Sequence, residues 1–230
     1  RDDIASKLEK TENFDNEKHR LEKKLIVTRN ELLNECHVLT EIRKEIAAEL
    51  QAKILAELSD LNFKDAQIEI TVEPLSSPTE EGMDKVEILI SANRGEPLKP
   101  LYKIASGGEM SRIMLAFKNI ISSSDMIPTL IFDEIDNGIS GITASIVAKK
   151  LREISSHHQI ICITHLPQIA AAGDNNYRIY KETDGEKTYT RVEKLSDDEK
   201  VSEVARLLGG ATITDTTLKS ACELISVSHS

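Results

Sequence analysis

Tryptophan is absent from the 230 residues, and aromatic side chains make up only 3% of them. A core must therefore rest on Leu, Ile, Val and Ala, and the 40% hydrophobic content is enough for one ordinary domain plus an extension. Cysteine is scarce too: Cys36, Cys162 and Cys222 are odd in number, widely spaced and never paired as CxxC. That argues against a disulfide framework or a zinc site and reads as buried or incidental thiols in a reducing compartment. No apolar run approaches the ~20 residues of a membrane span, and no signal peptide opens the chain. The expectation is a soluble cytoplasmic protein with no membrane partner. Basic residues are in deficit, 29 Lys and Arg against 39 Asp and Glu for a net charge of −10. This excludes a broad basic surface that wraps nucleic acid nonspecifically, though not a local patch or DNA contacts made elsewhere in a longer protein. The chain begins at Arg1 rather than Met, so it is expected to be a fragment or a processed piece.

Proline and glycine are missing from Ser6 to about Asp60, a stretch dense in Glu, Lys, Leu and Ile. That composition predicts one long helix. Leu25, Leu32, Leu39 and Ile46 recur every seven residues, while the companion row Leu21, Thr28, Glu35, Ile42 and Glu49 is weaker. The spacing suits an imperfect coiled coil; the alternative is an amphipathic helix lying along a globular body. About 50 residues at 1.5 Å each would run about 75 Å, too long for the side of a small domain. Leu50, Ile54, Leu58 and Leu61 then shift register, as though docking onto a head. From Gln67 the period becomes two. Gln67–Glu73 and Asp84–Ser91 read as half-buried strands, with Pro74–Gly82 as the connecting loop and Asn93–Pro97 as a second breaker.

Three stretches carry chemistry. Ser106, followed three residues later by Glu109, reads as a capping box, with Met110, Ile113, Met114, Ala116 and Phe117 on the helix's apolar face. The same hydroxyl, two glycine amides and helix N-terminus would also make an anion site suited to phosphate. Thr129–Phe132 reads as a buried strand that ends in Asp133 and Glu134. Asp133 would hold Mg²⁺ through carboxylate oxygen, and Glu134 would orient and deprotonate an attacking water; otherwise the pair is simply a solvated strand end. The turn through Asp136, Asn137, Gly138, Ser140 and Gly141 enters a helix from Thr143 to Ile154. Gln159–Thr164 is a further buried strand, and His165 at its end is either a hydrogen-bonded structural histidine or a group facing the same crevice. Beyond it lie a short helix, a hairpin around Asp184-Gly185, an amphipathic helix stopped at Gly209-Gly210, and a closing helix from Thr214 to about Ser226.

The order Ser-Gly-Gly-Glu, apolar strand with Asp-Glu, turn, then strand ending in His resembles the C-terminal half of an ABC-type ATPase head, in its SMC-like branch. Four blocks, 105–112, 131–136, 164–170 and 201–210, resemble the RecN family of bacterial DNA-repair ATPases. The resemblance runs from roughly Leu50 to Leu224 and is only compositional along the helix before it. It implies an α/β fold, a P-loop NTPase-like sheet with flanking helices, divided into a returning coiled-coil arm (1–60) and the C-terminal lobe of the head (61–230). Ser106, Gly107, Gly108 and Glu109 match the family's signature motif, which closes over the ATP γ-phosphate held by a second head. Asp133 matches the Walker B aspartate on Mg²⁺, and Glu134 the catalytic base. Asp136 to Ser140 fall in the D-loop region at the dimer interface, and His165 matches the switch histidine. Ala105, where many ABC proteins have Leu before the Ser, is a small departure.

No GxxxxGK followed by Ser or Thr occurs, since none of the ten glycines begins that spacing. Without that loop the β- and γ-phosphates lack a cradle. The resemblance implies that it lies in an N-terminal half, so this piece alone would neither bind ATP tightly nor hydrolyse it. The implied partners are that N-terminal half, a second head in a homodimer, and DNA. The implied cofactors are ATP and Mg²⁺, the setting is double-strand break repair and recombination, and the place is the bacterial cytoplasm at the nucleoid. Two rival readings stand beside it. One makes Asp133, Glu134 and Asp136 the metal cluster of a nuclease with His165 as base; the other is a coiled-coil scaffold with an inactive head.

Overall fold

The structure is a computed structural model that describes residues 2–104, 106–122, 126–185, 187–210 and 212–229, with side chains from residue 14 onward. Ala105, the departure noted above, lies outside the described residues. The helix expected from the Pro- and Gly-free stretch is α1, Asp2–Asp60. Then follow β1 (Gln67–Thr79), β2 (Gly82–Ser91), β3 (Lys99–Pro100), α2 (Gly107–Ile121), β4 (Thr129–Phe132), α3 (Gly141–Ser155), β5 (Gln159–Cys162) and α4 (Pro167–Ala172). The chain closes with β6 (Tyr177–Asp184), β7 (Lys187–Lys194), α5 (Asp197–Gly209) and α6 (Asp215–Ser228). The strands form three sheets, β1-β2-β3, β4-β5 and β6-β7.

The chain divides into two compact units, residues 1–51 with 69–88, and residues 52–68 with 89–230. The last turns of α1 thus fall in the second unit and most of the β1–β2 hairpin in the first.

In the first unit, Pro74–Gly82 is not a loop. β1 continues through Pro78, and the connection shrinks to Glu80 and Glu81 ahead of Gly82 at φ +106°. β1 is an edge strand, the place in a sheet where proline is tolerated because a nitrogen on the open side has no ladder bond to lose. One face of α1 is tied to this hairpin. The Arg43 guanidinium lies 3.1 Å from the Asp84 carboxylate and donates to the Glu81 carbonyl at 2.6 Å, while Thr40 donates to Asp84 at 2.8 Å. Cys36 and Ala47 are buried along that face. The heptad row is divided: Leu39 is half-buried, whereas Leu25, Leu32 and Ile46 are 68%, 47% and 54% exposed.

In the second unit, Ile54, Leu58 and Leu61 are fully buried, as their register shift suggested, together with Ile113, Leu115, Ile135, Val147 and Ile154. A satellite cluster of Ala171, Val204, Ala205 and Ala221 joins α4, α5 and α6. β4 and β5 pair in parallel with Thr129 opposite Gln159 and Phe132 opposite Cys162. They are not the doubly buried strands expected from their apolar runs. Leu130 and Phe132 are covered, but Ile131, Ile161 and Ile163 are 68%, 46% and 49% exposed. A parallel sheet is stable with both faces covered, and this pair has one face open.

Candidate functional site

The site grows from the end of β4. The four residues of β4, three of them apolar, end at Phe132, and the chain turns at once through Asp133 and Glu134. Glu134 adopts φ +55°, a left-handed conformation that is uncommon for a residue with a Cβ and marks a constrained turn. The Asn137 amide closes the turn by donating to the Glu134 carbonyl at 3.0 Å, and fully buried Ile135 anchors it in the core. The Asp133 carboxylate is fixed by the Glu134 amide, which donates to Oδ1 at 2.9 Å.

Helix α2 grips this turn. Ser106 caps the helix, its Oγ accepting from the Glu109 amide at 3.4 Å, which is half of the expected box. Gly108 is needed for close approach to the turn's backbone, whereas at Gly107 the neighbour is the movable Glu134 carboxylate. A Cβ on Gly107 would stand 2.5 Å from a Glu134 carboxylate oxygen, and one on Gly108 would stand 2.9 Å from the Glu134 carbonyl and 3.0 Å from Asn137 Cβ. A turn further on, Ser111 donates to the Asp133 carbonyl at 2.7 Å. Arg112 is buried, and its Nη1 donates to the carbonyls of Asn137 at 2.8 Å and Ile135 at 3.3 Å. The guanidinium lies 5.3 Å from the centre of the Phe63 ring. Burial lowers its pKa, against the opposing pull of Glu109.

From the other side comes the end of β5. The Ile163 amide donates to the Phe132 carbonyl at 2.9 Å, which sets Thr164 and His165 beside the turn. Asp136 is 3% exposed, and its Oδ2 accepts from Thr164 Oγ1 at 2.5 Å and from the His165 amide at 2.7 Å. The same oxygen lies 3.1 Å from His165 Nδ1, while the His165 side chain is 72% exposed. Below the turn, burial first and then Asp136 and Asp133 push the Cys162 thiol up to about 12.

Ser106, Gly107, Gly108, Asp133, Glu134 and His165 are thus gathered around one turn. Ser140 stands apart as the N-cap of α3, its Oγ 3.4 Å from Thr143 Oγ1. Asp136, which the resemblance places in the D-loop region, is turned inward, its carboxylate accepting from the Thr164 hydroxyl and the His165 amide. The resemblance makes Glu134 the catalytic base and sets Gly107 over the γ-phosphate of a second head; within this chain the Glu134 carboxylate lies close to Gly107. Ser111, Arg112 and Thr164 are added by the structure; the one sequence signal for Arg112 is a charge inside an otherwise apolar helical face. Among the described residues no group of three or more His, Cys, Asp or Glu side chains is arranged to hold a metal ion. The three-carboxylate convergence of the nuclease reading is not seen among the described residues, and the Asp136 carboxylate is taken up by Thr164 and His165. A lone exposed carboxylate is what Mg²⁺ uses when substrate phosphates and water complete its shell, so Asp133 fits that ion. No helix among the described residues is long and apolar enough to cross a membrane.

No family model matches the chain. It is 42% identical over 231 residues to the DNA repair protein RecN of Halalkalibacterium halodurans, covering 99% of this chain and 41% of that protein. To the DNA repair protein RecN of Bacillus subtilis it is 39% identical over 238 residues, covering 96% of this chain and 41% of the relative. For the DNA repair protein RecN of Treponema pallidum the figures are 54% over 144 residues, 63% and 25%. Among solved structures, the Smc head domain with an extended coiled coil from Pyrococcus furiosus, bound to the C-terminal domain of ScpA, aligns with a TM-score of 0.51 at 23% identity. It covers 81% of this chain and 44% of that chain. This likeness concerns the fold, which is of the Smc head type. The chain spans about two fifths of the length of the first two RecN relatives. By sequence, the chain belongs to the RecN family.

Proposed function

We propose that this chain is the C-terminal lobe of an ATP-hydrolysing head, joined to the returning arm of a coiled coil, in a protein of DNA double-strand break repair and recombination. The observation that carries the reading is the gathering of a serine-capped glycine helix start, an Asp-Glu strand end and an exposed histidine around one turn. The apolar face left open on β4 and β5 supports it, because an N-terminal half bearing the phosphate loop would cover that face. The exposed row Leu25, Leu32 and Ile46 on α1 would likewise pack against an outgoing helix. The complete protein would act in the cytoplasm at the nucleoid, as a homodimer of heads that engages DNA.

In this reading Asp133 holds Mg²⁺, which when bound neutralises charge on the phosphates. Glu134 accepts the proton of the attacking water and orients it for in-line approach. Ser106 Oγ, the amides of Gly107 and Gly108 and the start of α2, with Glu109 in the same motif, meet the γ-phosphate held by a second head. His165 offers a ring nitrogen to the same phosphate. Ser140 lies along the interface between heads.

The test is ATP-dependent association of the complete protein, followed by light scattering, for wild type and Ser106→Arg. Association in the wild type and its loss in the variant, with the fold intact by circular dichroism, supports the reading. Equal association in both contradicts it.

A further inference from the structure

We propose that Asp136 is a positioning residue that acts through His165 of its own chain, presenting the imidazole to a phosphate rather than meeting a nucleotide itself. The inference rests on the reading of His165 as the phosphate-facing histidine and says what aims it. Asp136 Oδ2 takes the Thr164 hydroxyl at 2.5 Å and the His165 amide at 2.7 Å, and lies 3.1 Å from His165 Nδ1. One oxygen thus fixes the backbone that carries the histidine and stands within ion-pair distance of the nitrogen on the ring's inner edge. A carboxylate standing beside Nδ1 favours the tautomer with its proton on that nitrogen and leaves Nε2 on the opposite edge. That edge is on the open side, because the carboxylate is 3% exposed and the imidazole 72%.

The holder is itself held. The carbonyls on either side of Asp136, those of Ile135 and Asn137, both accept from Arg112 of α2. Thr164 Oγ1 in turn accepts from the Leu166 amide at 3.0 Å, and Leu166 is the N-cap of α4. Asp136 therefore organises the whole link between β5 and α4, and α2, the helix behind the signature glycines, sets where Asp136 stands. Movement of α2 when its N-terminus meets a phosphate would be transmitted through Arg112 and Asp136 to the imidazole.

The experiment is a double-mutant cycle on the complete protein, with steady-state ATP turnover measured for wild type, Asp136→Asn, His165→Ala and the pair, beside melting curves. The expected result is that Asp136→Asn lowers kcat about tenfold or more with little change in KM. In the His165→Ala background the same change should cost less than about twofold, because its target is gone. Multiplicative losses overturn the inference while leaving His165 in its place. No loss in His165→Ala overturns the reading of the histidine and the inference with it. If Asp136→Asn melts early, the cycle is run on Asp136→Glu, which keeps the charge but displaces it by a methylene. The same coupling supports the proposal, and independence overturns it.

Discussion

Arg112→Met keeps most of the volume of a buried side chain while removing its donors, so it isolates what the guanidinium contributes. Arg112 Nη1 serves two carbonyls, at 2.8 Å to Asn137 and 3.3 Å to Ile135. A hydrogen bond to a charged donor contributes about 1.5–3 kcal/mol. Asn137 is exposed and can turn to water, but Ile135 is fully buried and its carbonyl would lose a partner. The loss therefore comes to about 2–3 kcal/mol. Against it stands the buried Arg112 Nε, which has no hydrogen-bond partner among the described residues and costs about 1 kcal/mol that methionine would recover. The net expectation is a destabilisation of about 1–2 kcal/mol for Arg112→Met. Arg112→Ala should lose about 1–2 kcal/mol more, as the stem that lies over Phe63 disappears. Urea unfolding of the three proteins at equal m-values measures both differences. Turnover of the complete protein should fall as well, because the turn that bears Glu134 loses its clamp. An Arg112→Met protein within about 0.5 kcal/mol of wild type would refute the claim that α2 holds the turn through this side chain.

Lys150→Met should cost about 1–3 kcal/mol in urea unfolding. The buried amine lies 2.7 Å from Glu57 and 3.1 Å from Asp60, and both carboxylates are partly solvated. Burial pulls the Lys150 pKa down, but the bonds to Glu57 and Asp60 outweigh it and the net shift is upward. Its contribution is therefore complete below the ordinary lysine value and is lost as pH rises through the folded one. The gap between wild type and Lys150→Met should close only in strongly alkaline solution, and a gap that closes near pH 7 would refute the pairing. Cys162, with its thiol pushed up to about 12, should resist iodoacetamide at pH 8 while exposed Cys222 is alkylated. Equal labelling of the two in a peptide digest would contradict the raised thiol pKa of half-buried Cys162.

The elements written locally in the chain were legible. α1 follows from a stretch without helix breakers, and α2 from a serine three residues before a glutamate ahead of an apolar face. β4 and β5 were placed by short apolar runs that stop at charged residues. The hairpin β6–β7 was announced by Asp184-Gly185. What depends on neighbours was not legible. Pro74 and Pro78 read as loop residues because sequence does not tell an edge strand from a central one. The alternate exposure of Ile131, Ile161 and Ile163 could not be seen in runs that look wholly buried. In the site, residue types were readable but directions were not. Asp136 looked like one more carboxylate of an acidic cluster, and only the parallel pairing of β4 with β5 brings Thr164 and His165 to it. Arg112 went unmarked because nothing in its helix says that a carbonyl-rich turn will face it.

The most direct test of the central claim is ATP hydrolysis by this chain alone and mixed with the N-terminal remainder of the protein, for wild type and Glu134→Gln. The account predicts turnover only in the mixture, reduced about 10²-fold or more by the substitution. Comparable turnover from the isolated chain would contradict it, since no phosphate loop is present in these 230 residues.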